Sequence, residues 1–351
     1  MSERPVQVVR IDANDGRAFD EWFEVLIETD RPRWPEGPGW QRVERLAMAL
    51  DDNGPVEHQC LVARRGVRVV GIADLEMYRR ENLHAARLDV RVLPENRRRG
   101  IGSALVAEAE RIAGQSGRTE IGGVDETPLR ADYVDTADPF ARRLGFEPAQ
   151  RMVRRRLPLP LDRAHEDALR RNPKSSPAGY VLLTFEDRWP DEDIVDRCEL
   201  GRRMSTDVPL GDQVLEEETW DEGRVRGLEA ALAAQNRAKV ITAARDAATG
   251  RLVGYTEVVV PLGAPESAWQ HDTLVMREHR GHGLGFAIKA ANLFAVAERH
   301  PAVRWINTWN AEENWPMIAV NEEMGFEVVA HSVLWLREIA SVGPPPPAMP
   351  A

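Results

Sequence analysis

The stretch Thr273-Leu274-Val275-Met276-Arg277-Glu278-His279-Arg280-Gly281-His282-Gly283-Leu284-Gly285 decides the fold of this 351-residue chain. A stretch of the same design lies in the first half, Val90-Arg91-Val92-Leu93-Pro94-Glu95-Asn96-Arg97-Arg98-Arg99-Gly100-Ile101-Gly102. Each is typical of a strand followed by a short linker and a helix. The pattern Arg-x-x-Gly-x-Gly begins the helix, in which apolar residues recur with a period close to 3.6 residues. Glycines let backbone N–H groups approach a phosphate, and a helix N-terminus adds partial positive charge. The two stretches therefore predict two phosphate-binding turns.

The same order of elements surrounds both turns. Helices come first, then two strands joined by a turn, then the strand, turn and helix above, and finally a strand, a short helix, Gly-Phe and a strand. Arg97 and Arg280 are 183 positions apart (280 − 97), and the Gly-Phe glycines, Gly145 and Gly325, are 180 apart (325 − 145). Landmarks repeated at nearly one offset indicate a duplicated domain. A dinucleotide-binding turn would need G-x-G-x-x-G and an earlier place in a βαβ unit.

Proline-rich segments mark the domain limits. We predict an N-terminal domain over 1–157, a connector over 158–178, a C-terminal domain over 179–340 and a Pro-rich tail over 341–351. The connector contains Asn172-Pro173, and the tail contains four consecutive prolines, which continue neither a helix nor a strand.

Composition excludes several classes of protein. A net charge of -11 disfavours nucleic-acid binding, which needs a basic surface. Cys60 and Cys198 are the only cysteines, so neither a disulfide framework nor a cysteine-type metal site is expected. No run approaches the ~20 apolar residues of a membrane helix, and the N-terminus lacks an apolar signal region. We expect a cytoplasmic monomer or homodimer with no nucleic-acid, membrane or metal partner.

Both halves resemble the GCN5-related N-acetyltransferase (GNAT) superfamily in the two turns, the strand valines before them and the Gly-Phe pairs. The resemblance covers nearly the whole chain except the connector and the tail, and the two-domain arrangement resembles that of the mycothiol synthase family. It implies an α/β fold in which each domain has a mixed, splayed central sheet flanked by helices. It also implies acetyl-CoA in the opening of the sheet, without a metal.

The resemblance further implies that acetyl-CoA contacts each turn and the strand before it. In the first copy the cofactor-binding residues would be Val90, Arg91, Val92, Arg97, Arg98, Arg99, Gly100, Ile101, Gly102 and Ser103. In the second copy they would be Thr273, Leu274, Val275, Arg280, Gly281, His282, Gly283, Leu284, Gly285, Phe286 and Asn314. The Asn314 amide offers the donor and the acceptor that a pantetheine amide requires.

The candidate base is His271. In members of the superfamily that use histidine, this residue lies four positions before the strand valine, and an imidazole with a pKa near ~6.5 can accept a proton from an amine. The matching residue of the first half is Leu88, so we expect the C-terminal copy to be catalytic and the N-terminal copy to be a scaffold or a vestigial cofactor binder. Glu257, on the preceding strand, is a second candidate base. Asp272 is expected on the opposite face from His271 by strand alternation.

Three further residues belong to the predicted site. Asn321 replaces the tyrosine with which many members protonate the departing thiolate, and it can hydrogen-bond to the thiolate but not act as an acid. Asp207 and Asp212, in the loop before a helix, could attract an ammonium group or serve as helix-capping and turn residues.

These observations predict an acetyl-CoA-dependent N-acetyltransferase. We expect direct attack by a primary amine of a small molecule within a ternary complex, with oxyanion stabilisation from backbone N–H groups near Leu274 and Val275. The alternatives are a protein or peptide N-acetyltransferase and a non-catalytic acyl-CoA-binding module.

Overall fold

The computed structural model describes residues 6–36, 39–207 and 209–340, so the predicted tail, 341–351, lies outside the described residues. The chain divides into two compact units. The first comprises Met1–Gln150 and Ser332–Ala351, and the second comprises Arg151–His331. Each unit is a mixed sheet with helices on both faces, as the sequence predicts.

The described residues of the first unit form strands in the order β1-β2-β3-β4-β5-β12. Its helices are α1 (Gly16–Asp30), α2 (Arg42–Ala49), α3 (Ile101–Gln115) and α4 (Ala137–Arg143). Its strands are β1 (Gln7–Arg10), β2 (Val56–Arg65), β3 (Arg68–Tyr78), β4 (Ala85–Val92), β5 (Glu120–Pro128) and most of β12 (Glu327–Glu338). The β1–β4 strands pair antiparallel, whereas β4 and β5 are parallel.

The second unit repeats this plan in the order β7-β8-β9-β10-β11-β6. Its helices are α5 (Arg163–Arg171), α6 (Ile194–Asp207), α7 (Glu222–Ala234), α8 (Leu284–Arg299) and α9 (Trp315–Glu323). Its strands are β7 (Tyr180–Glu186), β8 (Arg237–Asp246), β9 (Leu252–Pro261), β10 (Ser267–Val275), β11 (Trp305–Ala311) and most of β6 (Glu147–Pro158). Here β10 and β11 are the parallel pair.

The final strand of each sequence repeat belongs to the other unit. Strand β6 ends the first repeat in the sequence, yet it pairs antiparallel with β11 from Met152 to Pro158. Strand β12 ends the second repeat, yet its residues from Ser332 onward belong to the first unit, beside β5. The compact units therefore do not follow chain order, although the elements within each repeat do.

Alternating residues of the central strands pack into separate cores on the two faces of each sheet. In the first unit, Leu61 and Ala63 of β2 face α3, while Cys60 and Val62 face α1. The period of two that places successive side chains on opposite faces of a strand produces this division. Among the described residues, no helix has the length and apolar character needed to cross a membrane.

Gly123 of β5 is required by the close approach of β4. A Cβ atom at this position would lie 2.4 Å from the backbone oxygen of Leu88. We expect Gly123→Ala to lower the free energy of unfolding by about 1–3 kcal/mol, because a backbone oxygen cannot move aside without shifting its strand. Urea denaturation measures this loss. The control is Gly227→Ala in α7, where a Cβ meets no described atom within 4 Å and helix propensity favours alanine by up to about 1 kcal/mol. An unchanged midpoint for Gly123→Ala would contradict the expected clash.

Candidate functional site

The two glycine-rich turns have the same backbone conformation. Gly100 and Gly283 are the N-cap residues of α3 and α8, and both are left-handed, with φ of 79° and 75°. Among the described residues, neither N-cap has a side-chain hydrogen bond to the first turn of its helix. Arg97 and Arg280 fix the start of each turn by donating from Nε to the backbone oxygens of Val92 and Val275, at 3.1 and 3.0 Å. Each turn therefore presents free helix N–H groups to an anion.

The sheet of each unit opens next to its turn. In the first unit the parallel ladder joins Ala85–Arg87 to Glu120–Gly122, at the start of β4 and β5. In the second unit the ladder joins Ser267–Trp269 to Trp305–Asn307. All four strands run on beyond these ladders, so their later residues flank an opening. The predicted splay of the central sheet is confirmed in both copies.

A β-bulge distinguishes the second copy. Gln270 pairs with Val258 and Thr273 pairs with Thr256, which leaves His271 and Asp272 together opposite Glu257. A bulge adds one residue to a strand and ends its regular alternation. The expectation that Asp272 faces away from His271 assumed a regular strand and therefore does not apply.

The first copy has an uninterrupted register at this point. Leu88 pairs with Leu75 and Asp89 pairs with Asp74. Residues of β9 correspond to residues of β3 at a constant offset of 183 positions. By their partners on these strands, Leu88 corresponds to Gln270, and Asp89 corresponds to the bulged pair His271 and Asp272. The sequence alignment of His271 with Leu88 is wrong by one residue, since the bulge cannot be read from the sequence. The first copy thus carries a carboxylate, not a leucine, at this position.

His271 retains an exposed side chain on the bulge. Desolvation by the surrounding protein disfavours the charged imidazolium and lowers the pKa of His271. The Asp272 and Glu257 carboxylates act in the opposite direction but do not cancel this effect. The cations Arg237 and Lys239 add to the lowering. The imidazole is therefore neutral at neutral pH, which is the form that accepts a proton.

Glu257 is buried and fully engaged. Its Oε1 accepts hydrogen bonds from Lys239 Nζ at 3.1 Å and from Trp189 Nε1 at 3.2 Å. Burial acts to raise the pKa of Glu257, but Lys239 and Arg197 outweigh burial and hold the pKa below its ordinary value. Glu257 is thus a fixed carboxylate beside the bulge. Its predicted role as a second base has to compete with this ion pair.

Asp272 accepts a hydrogen bond at 3.0 Å from the hydroxyl of Tyr255. Burial, followed by the negative charge of Glu257, raises the pKa of Asp272. Burial also raises the pKa of Tyr255. The bulge therefore gathers an imidazole, two carboxylates and a phenol on one stretch of β9 and β10.

Comparison with known proteins identifies the family. A domain family described as "Acetyltransferase (GNAT) domain" matches residues 56–148. Among solved structures, a tandem GNAT protein from the clavulanic acid biosynthesis pathway is 31% identical, with a TM-score of 0.77, and the match covers 95% of this chain and 98% of that chain. The chain belongs to the GNAT family.

A second solved structure shares the fold. It is a GCN5-related N-acetyltransferase from Sphaerobacter thermophilus, 17% identical, with a TM-score of 0.67 and coverage of 95% of this chain and 96% of that chain. A search of curated protein sequences finds no match.

The two asparagines predicted for this GNAT site lie on α9. Asn314 is the N-cap of the helix, and its side-chain oxygen accepts from the Met317 backbone N–H at 3.4 Å. Asn321 is completely buried and donates from Nδ2 to Asn310 Oδ1 at 2.6 Å. The Asn321 Oδ1 atom is also buried and has no hydrogen-bond partner among the described residues. Binding of the pantetheine arm by Asn314 and contact of Asn321 with the thiolate both stay predictions.

Asp207 and Asp212 have different environments. Asp207, at the end of α6, pairs with Arg277 at 2.7 Å and with Arg280 at 2.9 Å. Its charge is therefore balanced by guanidinium groups on the glycine-rich turn. Asp212 is exposed on a turn. Attraction of an ammonium group by Asp207 or Asp212 stays a prediction.

The connector contacts the second turn. A Cβ atom on Gly283 would lie 3.1 Å from Cβ and Cγ of Lys174, whereas a Cβ on Gly100 would meet no described atom within 4 Å. The Lys174 amine pairs with Glu323 of α9 at 2.7 Å. The second turn is thus the more enclosed of the two.

A cavity of about 120 Å³ lies in the opening between β4 and β5 of the first copy. Its charged lining residues are Arg33, Asp89, Arg91 and Asp125. Arg91 is among the residues predicted from the sequence, whereas Arg33, Asp89 and Asp125 are not. The signal for Asp125 was its place on the strand that follows the turn helix, a few residues beyond the point where the sheet opens.

The first copy also has a buried polar cluster at the position of Glu257. His58 Nδ1 lies 3.2 Å from Asp74 Oδ2, and Arg45 pairs with the same carboxylate. Burial opposes the charge of His58, but the hydrogen bond to Asp74 and the negative charges of Asp74 and Glu76 together outweigh burial and raise the pKa of His58. Glu76 adds a third possible metal-ligand atom, and the three such atoms lie within 4.8 Å of one another. Because Arg45 already neutralises Asp74, the cluster is an internal ion pair, equivalent to Lys239–Glu257.

Proposed function

We propose that this GNAT protein transfers an acetyl group from acetyl-CoA to a primary amine of a small molecule, with His271 of the second copy as the proton acceptor. The observation that carries the proposal is the β-bulge, which sets an exposed, neutral imidazole beside the opening of the sheet. The tandem GNAT relative comes from the biosynthesis of a small molecule, which supports a small-molecule acceptor over a protein.

The residues present fit acetyl-CoA. Left-handed glycines at 281 and 283 leave the first N–H groups of α8 open to a diphosphate, and the later residues of β10 and β11 flank a gap for an extended arm. Thr273, Leu274 and Val275 would hold the arm, and residues 281–286 would hold the diphosphate. When bound, acetyl-CoA supplies an acetyl group activated as a thioester.

His271 removes the proton that keeps the acceptor amine from acting as a nucleophile. A general base in this position contributes about 10²–10⁴-fold to the rate. Glu257, fixed by Lys239 and Trp189, stabilises the imidazolium that forms, because its negative charge lies opposite the bulge. Backbone N–H groups near Leu274 and Val275 are the candidates to stabilise the oxyanion, and the amine attacks directly in a ternary complex.

Acetylation of an amine library by the wild type and His271→Ala tests the proposal. For at least one amine we expect kcat/KM to fall by about 10²–10⁴-fold, with the KM for acetyl-CoA unchanged. Because the pKa of His271 is lowered, this residue stays deprotonated at pH values somewhat below 6.5. The part of wild-type kcat/KM that depends on the base should therefore persist below pH 6.5 for that amine.

His331→Ala is the matched control, since His331 is an exposed histidine on β12 that pairs only loosely with Glu312, at 3.8 Å. Its kinetics should equal those of the wild type. Undiminished acetylation of every accepted amine by His271→Ala would show that another group is the base. Acetyl-CoA binding without turnover of any amine would favour a non-catalytic module, and turnover of peptides alone would favour a protein acetyltransferase.

A further inference from the structure

The cavity of the first copy has a polar end and an apolar wall. Asp89 and Arg91 on β4 and Asp125 on β5 line the polar end, while Val106 of α3 and Phe140 of α4 contribute to the wall. Gly122 and Gly123 also line it, and a Cβ on either would strike a neighbouring backbone oxygen, at 2.6 and 2.4 Å. The cavity therefore lies where the sheet opens, next to α3, the helix that begins at the first glycine-rich turn.

Asp125 differs from the other charged residues of this cavity in its hydrogen bonding. Its Oδ1 atom is buried and has no hydrogen-bond partner among the residues that the structure describes. Asp89, by contrast, is held by Arg91 Nε at 2.8 Å, and Arg91 also pairs with Asp30 at 3.2 Å. Arg33 donates to the hydroxyl of Tyr133 at 3.3 Å. Within the described part of the chain, the cavity thus combines one unengaged carboxylate with cations that already have partners.

The charges around Asp125 favour a cation. The carboxylates of Asp135, Asp138 and Glu126 act to raise the pKa of Asp125, and Arg33 is the cation that opposes them. Burial, followed by the charge of Asp135, raises the pKa of Asp125 to about 6. The carboxylate is therefore ionised at neutral pH and still basic enough to accept a proton.

We propose that the first copy is a second acetyl-transfer centre, in which Asp125 binds a cationic amine and accepts its proton. The proposal rests on the proposed function for the chemistry but not on His271. Asp125 first takes one proton from the ammonium group, which frees the nitrogen lone pair. The nitrogen then forms a bond to the thioester carbonyl carbon, and the carbon–sulfur bond breaks. The second proton of the nitrogen passes through water to the departing thiolate, so the products are the amide and the free thiol of CoA. The acceptor class is a small ammonium compound, because the carboxylates of Asp135, Asp138 and Glu126 add negative charge around Asp125.

The first measurement is binding. Calorimetry with CoA should give two sites per wild-type chain, and Asp125→Asn should keep both, because this substitution leaves the turn at Gly100 unchanged. A Gly281→Asp chain should keep one strong site, which belongs to the first copy. A single site in the wild type that Gly281→Asp removes would overturn the second centre.

The second measurement is activity in a His271→Ala chain. We expect this chain to retain acetylation of at least one amine, and added Asp125→Asn to lower that remaining kcat by about 100-fold or more. Asp132→Asn, an identical change at an exposed residue paired with Arg130, is the control and should leave kcat unchanged. The remaining kcat/KM should rise with pH through a midpoint near 6, and an aspartate carboxyl resonance titrating near 6 should vanish in Asp125→Asn.

The outcomes separate the two centres. Loss of all turnover in His271→Ala would overturn the second centre and leave the proposed function intact. Full turnover in His271→Ala that Asp125→Asn abolishes would support the second centre and remove His271 as the base. Residual turnover that Asp125→Asn does not change would overturn Asp125 as the proton acceptor.

Discussion

Gly281→Asp is expected to weaken CoA binding at the second turn by about 100-fold. Gly281 is left-handed, with φ of 82°, and a Cβ there meets no described atom within 4 Å, so an aspartate carboxylate can be accommodated. At about 6 Å from a doubly charged diphosphate and an effective dielectric constant of roughly 40, the repulsion is about 2–3 kcal/mol. Each 1.4 kcal/mol corresponds to about tenfold in affinity. Calorimetry with CoA measures the change.

Gly281→Asn separates charge from backbone strain. Asparagine has nearly the same shape as aspartate and tolerates the left-handed region, so this variant should lose about tenfold or less. The first copy already has a non-glycine residue, Arg98, in a left-handed conformation at the matching position, with φ of 60°. Equal losses for the Asn and Asp variants would mean that conformation, not charge, controls binding at this turn.

Lys289→Met is expected to change how stability depends on pH. The Lys289 side chain is 1% exposed, and its Nζ donates to Gln270 Oε1 at 3.0 Å. Burial lowers the pKa of Lys289 to about 7, against an ordinary value of 10.5. Above pH 7 the unfolded chain therefore holds a proton that the folded chain has released, so raising the pH stabilises the fold. Since one pKa unit is about 1.4 kcal/mol, the gain from pH 7 to 9 should be roughly 2 kcal/mol.

Urea denaturation of the wild type and Lys289→Met at pH 6, 7, 8 and 9 tests this expectation. The difference in unfolding free energy between the two should move by roughly 2 kcal/mol in favour of the wild type from pH 7 to 9. Lys174→Met is the control, because Lys174 is partly exposed and paired with Glu323. Its difference from the wild type should be nearly constant over this range. A constant difference for Lys289→Met as well would show that the amine is not desolvated in the folded chain.

Lys289 occupies a position of α8 at which the helical pattern predicts an apolar residue. In α3 the matching residue is Val106, which lines the cavity of the first copy, and the period of α8 likewise predicts an apolar residue at this position. The hydrogen-bond partner of Lys289 also differs between the copies, because β10 has Gln270 at the position where β4 has Leu88. A hydrogen-bonded lysine and glutamine thus occupy positions that are apolar in the first copy. This pairing becomes visible only when the strand registers are known.

The sequence by itself determined the parts of this protein that depend on neighbours along the chain. The Arg-x-x-Gly-x-Gly turns, the helices they open, the duplication and the GNAT family follow from short patterns, because a turn needs only a few residues with the right backbone freedom. Tertiary structure decided what depends on pairing between distant strands. The bulge at His271, the exchange of β6 and β12 and the cavity at Asp125 each arise from register and sheet order. A strand's sequence limits which residues face the core, but its register is fixed by the partner against which it packs.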